Sequence, residues 1–299
     1  MNYLVIITGP TGVGKTELSI ALAQYFNADI LSADSRQLYQ GLKIGTAAPT
    51  YEDLQKVKHH FIATRNIKDY YSVSQYEAEA IAVLDEIYQK KNIAFLVGGT
   101  GLYIDAVENG IDFMPDPDME IRDNLNLILK KEGIEKLQEK LKDLDPEYYQ
   151  KVDLKNAVRI IRAIEVCLQT GKTYTSFRKS TPKKRNFKTI KIFLNIDREK
   201  LYQRINQRVD NMIAQGLVEE AKMFYPYKGL TALKTVGYQE LFDAFDGNIT
   251  LEEAIQKIKN NSRKYARRQI TWFRRDKNYH HFEPHQKTKI QNYIQSFLS

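Results

Sequence analysis

The 299-residue sequence predicts an α/β fold, a parallel sheet flanked by helices with an all-helical subdomain inserted into it, and three observations carry that reading. Short continuous apolar runs at Tyr3–Ile7, Ile30–Leu31 and Ile93–Val97 have the composition of strands buried on both faces. A glycine-rich turn joins the first run directly to an amphipathic helix that reaches about Phe26. Pro115 and Pro117 then break the pattern, and Ile121 to Thr170 is mostly helical, with turn signals at Gly133 and Asp145-Pro146.

Taken in order, these segments place the core at residues 1–115 and 186–299 and the helical insertion at 116–185. The β pattern returns at Thr189–Ile196, and helices dominate from Asp197, with one expected over Leu201–Gly216. In 251–273, Leu251, Ala254, Ile255, Ile258, Tyr265, Gln269 and Trp272 recur at three- and four-residue steps and share one helix face. Arg263, Arg267 and Arg274 lie opposite, and Lys257, Lys264, Arg268 and Arg275 line a flank. On this spacing Tyr265 and Trp272 serve the core, although with Phe273 they also have the chemistry to stack on bases.

Composition narrows the function classes. The chain is 42% hydrophobic and 27% charged, and its one cysteine, Cys167, excludes an internal disulfide framework and a CxxC zinc knuckle. No apolar run approaches the roughly 18 residues of a membrane span, so a cytoplasmic protein without a membrane partner is expected. The net charge of +8 is concentrated: seven basic residues and no acid lie from Arg178 to Lys191, and Lys257 to Lys277 nets +8. The remainder of the chain nets −7, and such clustering is the electrostatic footprint of a nucleic-acid binder.

Gly9-Pro10-Thr11-Gly12-Val13-Gly14-Lys15-Thr16 satisfies G-x-x-x-x-G-K-[ST] between strand and helix. Backbone N–H groups and the helix N-terminus there surround a phosphate pair, Lys15 adds a cation, and the Thr16 hydroxyl can ligate Mg²⁺. The core is therefore P-loop NTPase-like. Asp34 follows the second apolar run, on the side of the sheet where ligands collect; metal binding through water, proton acceptance and a helix cap are all open to it. The run at 93–97 ends in Gly98-Gly99-Thr100-Gly101, where an ATPase often shows a catalytic acid, and Thr100 can donate to a phosphate oxygen. Arg208 offers a planar guanidinium able to clamp pyrophosphate. The pairs His59-His60 and His280-His281, with His285, lack the i, i+4 spacing of a zinc site, and none is assigned.

With these motifs in place the sequence resembles the bacterial tRNA dimethylallyltransferases (tRNA isopentenyltransferases) over nearly its whole length. The resemblance is carried by GPTGVGKT at 9–16, SADSRQLYQGLKIGTAAP at 32–49, HH at 59–60, YSVSQY at 71–76 and LVGGTGLYI at 96–104, and further on by NAVRIIRAIEV at 156–166, RVDNMIAQGLVEEA at 208–221, TVGYQE at 235–240 and SRKYARRQITWFRR at 262–275. Departures are few: Gly12-Val13 where the family often has Ala-Ser, Ala48 where it often has Lys, and Phe61 where Leu usually follows His-His.

The resemblance implies transfer of the dimethylallyl group of dimethylallyl diphosphate to N6 of the adenine 3′ of the anticodon, position 37, with release of pyrophosphate. By the same analogy Asp34 is the base, with Ser35 and Gln37 near the adenine. Lys15, Thr16 with Mg²⁺, Thr100 and Arg208 neutralise the leaving pyrophosphate, and Arg263, Arg267, Arg268, Gln269 and Arg274 meet the anticodon stem-loop. The insertion closes as a lid, and a monomer is the default state. Rival readings are an adenylate isopentenyltransferase acting on free nucleotide, a P-loop small-molecule kinase, and a non-enzymatic RNA-binding module.

Overall fold

The computed structural model describes residues 1–179 and 181–298. Six parallel strands form one sheet in the order β3-β2-β4-β1-β5-β6, with β1 at Asn2–Thr8, β2 at Ile30–Ala33, β3 at His59–His60, β4 at Ile93–Gly98, β5 at Phe187–Leu194 and β6 at His280–Phe282. This is the α/β architecture the apolar runs predict. β5 begins two residues before the Thr189 expected from sequence, because Phe187 and Lys188 still pair with Asn2 and Tyr3 of β1.

Alternation along β1 divides the core between the two faces of the sheet. Leu4 and Ile6 join a cluster with Tyr76 and Leu84 of α3 (Val73–Tyr88) and Tyr103 of α4 (Gly101–Asn109). Val5 and Ile7 join the other, with Leu18 and Leu22 of α1 (Lys15–Tyr25). The short helix α2 is Tyr51–Lys56, closed by a Thr50/Asp53 capping box.

The chain separates into two compact units, residues 1–108 with 185–299 and residues 109–184. The first limit lies seven residues before the 116 read from the proline break, since the Lys183 N–H bonds the Asn109 carbonyl at 2.7 Å and brings the entering and leaving segments together there. The smaller unit contains α5 (Met119–Glu132), α6 (Ile134–Leu144), α7 (Pro146–Lys151), α8 (Ala157–Thr170) and α9 (Tyr174–Phe177). It has its own core, in which Leu125, Leu137, Leu141, Ile160 and Ile164 are buried. The turns fall at Gly133, with φ 87°, and at Asp145, which caps α7 by accepting from the Tyr148 N–H.

After β5 the larger unit continues with α10 (Arg198–Ala214), α11 (Leu217–Phe224), α12 (Tyr238–Phe245), α13 (Leu251–Phe273) and α14 (Lys287–Leu298). On α13 the buried positions are Ala254, Ile258, Ala266, Gln269 and Phe273. Leu251, expected in the stripe, sits in the first turn and is 39% exposed. Phe273 is 3% exposed between Phe193 and Tyr279, so it belongs to the core and is withdrawn from base stacking.

Candidate active site

The loop from Gly9 to Gly14 leaves the C-terminal end of β1 and opens α1 through Gly14, whose φ of 104° is a left-handed conformation natural to glycine. No side chain caps the helix at that point, so its first-turn N–H groups face outward with the positive end of the helix dipole. Lys15 folds back over the loop, its Nζ donating to the carbonyls of Gly9 at 2.8 Å and Pro10 at 2.9 Å. The Val13 N–H bonds Pro10 and its side chain is fully buried. Gly9 and Val13 thus shape the loop, whereas Gly12, Gly14, Lys15 and Thr16 line the space it encloses.

A second turn closes against the first. Gln269 on α13 accepts from the Thr11 N–H at 2.8 Å and donates to the Gly99 carbonyl at 3.0 Å. A Cβ on Gly99 would stand 2.0 Å from Gln269 Nε2, so the glycine permits this bridge. Gln269 is 5% exposed and its amide is committed on both sides. The sequence-based role for it as a tRNA contact is therefore corrected to that of a brace between two site loops. Gln37 is half-buried and lines the site cavity, and its amide accepts from Ser32 and donates to the carbonyls of Thr46 and Ala47.

Asp34 stands just past β2. Its Oδ1 accepts from the N–H groups of Arg36 at 2.9 Å and Gln37 at 3.4 Å, closing a turn where a helix cap was one expectation, since no helix follows; Oδ2 takes no hydrogen bond from the described residues. One carboxylate thereby holds its own loop and keeps an oxygen for chemistry. Ser35 donates its N–H to Thr100 Oγ1 at 3.1 Å, and the Thr100 hydroxyl also bonds Tyr265. Thr100 is half-buried at the start of α4 and is held beside Ser35 by these contacts.

The cavity has two lobes. The inner one, about 310 Å³, is bounded by Gly12, Gly14, Lys15, Thr16 and Gly99. The outer one, about 320 Å³, is bounded by Ser35, Arg36, Val236, Ser262 and Arg268. Thr11, Asp34, Thr46, Arg208 and Tyr265 border both. Tyr265 therefore belongs to the site, contrary to its reading as core; helical spacing marks the face of a residue, not whether that face meets a void.

Electrostatics single out the inner lobe. Arg208, on α10, has no hydrogen bond or ion pair among the described residues, and burial lowers its pKa while Asp34 raises it. Burial, with Arg208 nearby, brings Lys15 down to about 7, against a smaller upward pull from Asp34. Two cations thus face the inner lobe, where Asp34 acts on both and Glu17 also borders the space; a multivalent anion would relieve the repulsion between them.

Glu220 on α11 is the structural residue that sequence reasoning missed. It accepts from the N–H groups of Lys43, Ile44 and Gly45 and from the Tyr238 hydroxyl, and so fixes the loop bearing Thr46. An acid within an amphipathic helix carries no mark of such a partner. The Lys234–Gly237 segment, which also borders the outer lobe, was visible only as a resemblance motif.

The basic residues of α13 part company. Arg268 borders the outer lobe, whereas Arg267 and Arg274 border a separate groove. Arg263 is half-buried and bonded to Asn206 and Asn260, which corrects its reading as an open contact for RNA.

A phosphate loop, a carboxylate with one unengaged oxygen and a two-lobed cavity define a P-loop transferase. A family model described as IPP transferase matches residues 37–276. A tRNA dimethylallyltransferase 1 of Phocaeicola vulgatus is 54% identical over 99% of this chain and 98% of its own length. A tRNA dimethylallyltransferase of Christiangramia forsetii is 51% identical over 100% and 99%. Among solved structures, the tRNA isopentenylpyrophosphate transferase of Bacillus halodurans aligns with a TM-score of 0.73 at 36% identity, covering 99% of this chain and 96% of that one. A eukaryotic dimethylallyltransferase acting on tRNA aligns at 0.76 and 27% identity, covering 91% and 70%. The chain belongs to the IPP transferase family.

Proposed function

We propose that this chain transfers the dimethylallyl group of dimethylallyl diphosphate to N6 of the adenine 3′ of the anticodon in tRNA, position 37. The observation that carries the reading is the shared wall: Asp34 and Arg208 border both lobes, so an acceptor in the outer lobe meets a diphosphate in the inner lobe at those two side chains. N6 attacks the allylic C1, the C1–O bond breaks, and pyrophosphate leaves with the electron pair. Asp34 Oδ2 takes the proton from N6. Lys15 and Arg208 stabilise the charge that grows on the departing diphosphate.

The residues fit Mg²⁺. Among the described residues no group of three or more His, Cys, Asp or Glu side chains is placed to hold a metal, and the exposed Thr16 hydroxyl lies in the inner lobe. Thr16 would hold the ion beside the bound diphosphate, where it would supply further charge neutralisation.

The target base leaves its stack to enter the outer lobe, at a cost of a few kcal/mol that phosphate contacts offset. Ser35 and Arg268 border that entrance. The helical insertion is assigned the lid over the stem-loop. A monomeric state and a cytoplasmic compartment are assigned with this reading; no helix among the described residues is long and apolar enough to cross a membrane.

The test is transfer of labelled dimethylallyl, with Mg²⁺, to an anticodon stem-loop with adenine 3′ of the anticodon, to the same loop with guanine, and to free AMP. Label on the first alone is expected. Label on AMP moves the chain to nucleotide prenylation, and no label on any acceptor removes the reading.

A further inference from the structure

A third space, of about 600 Å³, adjoins the two lobes of the catalytic cavity and is lined by residues from the 37–54 segment and from α10. Thr16, Gln37, Ala47 and Arg208 border both it and the inner lobe, and Arg208 and Met212 border both it and the outer lobe. Three spaces therefore meet at Arg208. The junction matches the reacting carbon of an allylic diphosphate, which during transfer carries three groups besides hydrogen: the incoming amine, the departing oxygen and the hydrocarbon chain. The outer lobe takes the first and the inner lobe the second, so the third space is left for the chain.

Its walls suit a hydrocarbon. Ile44, Leu54 and Ile62 are half-buried on it, and Tyr51 beside them is 73% exposed. The Gln37 amide is already matched by Ser32, Thr46 and Ala47, so it asks for no polar partner from a ligand. Lys43, Asn211 and Gln215 are exposed, as polar groups at a rim are. The space is also roughly twice the volume of either lobe, although a five-carbon chain is smaller than the nucleobase assigned to the outer one. Ala47 and Ala48 offer it only methyl groups, and Ala48 is one of the positions where this sequence departs from the family pattern by lacking a long side chain.

We infer that this space admits the tail of a ten-carbon allylic diphosphate as well as that of the five-carbon donor, and that Ala48 sets the chain length it accepts. The inference rests on the prenyl-transfer reading. With geranyl diphosphate the chemical step is the same: N6 attacks C1, the C1–O bond breaks, pyrophosphate leaves with the electron pair, and Asp34 takes the amine proton. The tail alone differs, and its five further carbons bury more apolar surface against Ile44, Leu54 and Ile62. Where a wall leaves no room, one excess methylene costs about tenfold or more in kcat/KM. The two donors therefore report directly on the space available.

The experiment is transfer by the full-length chain, with Mg²⁺, from dimethylallyl diphosphate and from geranyl diphosphate to the anticodon stem-loop, with each product identified by its mass. Geranyl transfer is expected at a kcat/KM within about tenfold of dimethylallyl transfer. Ala48→Phe narrows the space and is expected to lower the ratio of geranyl to dimethylallyl kcat/KM by about tenfold or more, and Ala48→Leu by less. Both constants come from one preparation, so a partly folded variant cancels from the ratio, and Ala48→Leu serves where Ala48→Phe does not fold. Dimethylallyl transfer without geranyl transfer overturns the inference and leaves the prenyl-transfer reading standing. A ratio unchanged in the variants places the tail elsewhere and overturns it as well. Transfer from neither donor removes the prenyl-transfer reading, and the inference with it.

Discussion

Arg208 and Lys15 face the same cavity, neither in an ion pair among the described residues, and Arg208 is one reason Lys15 holds its proton weakly, with a pKa of about 7. A bound diphosphate reverses that pull, so binding is coupled to protonation of Lys15. Below about pH 7 Lys15 is already charged; above it the proton is taken up on binding, and donor affinity falls toward about tenfold per pH unit. Titrations at pH 8 in two buffers of different ionisation enthalpy are expected to show proton uptake for the wild type and none for Lys15→Arg. Equal uptake by the two proteins removes Lys15 as its source.

The same pair predicts a stability effect. Lys15 has a folded-state pKa below its unfolded value of 10.5, so the unfolded chain binds more protons between about 7 and 10.5, and stability rises with pH across that window. The penalty for burying the charge is complete below about 7. Lys15→Met is therefore expected to raise the thermal midpoint of the ligand-free protein, more at pH 6.5 than at pH 9, while weakening diphosphate binding. A lowered midpoint at pH 6.5 would mean that the bonds to Gly9 and Pro10 outweigh desolvation.

Asp34 has two roles that a suitable substitution separates. Asn at 34 keeps an oxygen for the N–H groups of Arg36 and Gln37 but cannot take a proton. Asp34→Asn is expected to lower the transfer rate by about 10²- to 10⁴-fold with tRNA affinity within a few fold of wild type. Loss of tRNA binding in parallel with the rate would instead make Asp34 a residue of the loop alone.

Much of this site was legible because its chemistry is local. The phosphate loop lies in eight consecutive residues between a strand and a helix, and Asp34 follows its strand directly. What escaped notice depends on partners far away in the chain. Gln269 lies 258 residues from Thr11, and its amide looks the same in sequence whether it meets RNA or backbone. Glu220 reaches back 175 to 177 residues to the loop it fixes. Tyr265 and Phe273 lie eight positions apart on one helix, yet one borders the cavity and the other the core, a distinction made by the elements opposite them.

The brace formed by Gln269 has its own signature. Gln269→Ala leaves the Thr11 N–H and the Gly99 carbonyl without this partner, at a cost on the order of 1–3 kcal/mol for each group that water does not reach. KM for dimethylallyl diphosphate is expected to rise while the salt dependence of tRNA binding is unchanged. A salt slope reduced by about one, with KM for the donor unaltered, would return Gln269 to the RNA interface.

The basic face of α13 gives the final prediction, because its arginines have different occupations despite similar spacing. Arg263 is bonded to Asn206 and Asn260 and carries its charge close to the protein, whereas Arg268 borders the outer lobe with its guanidinium 5.5 Å from the Tyr265 ring centroid. A side chain that displaces counterions from RNA changes the slope of log affinity against log salt by about one when removed; a side chain occupied within the protein changes stability instead. Arg268→Ala is therefore expected to weaken tRNA binding and flatten the slope by about one contact. Arg263→Ala is expected to lower the thermal midpoint and leave the slope alone. Equal changes of slope in the two variants would show that Arg263 leaves its asparagine partners for RNA, and that α13 offers the strand a continuous basic row.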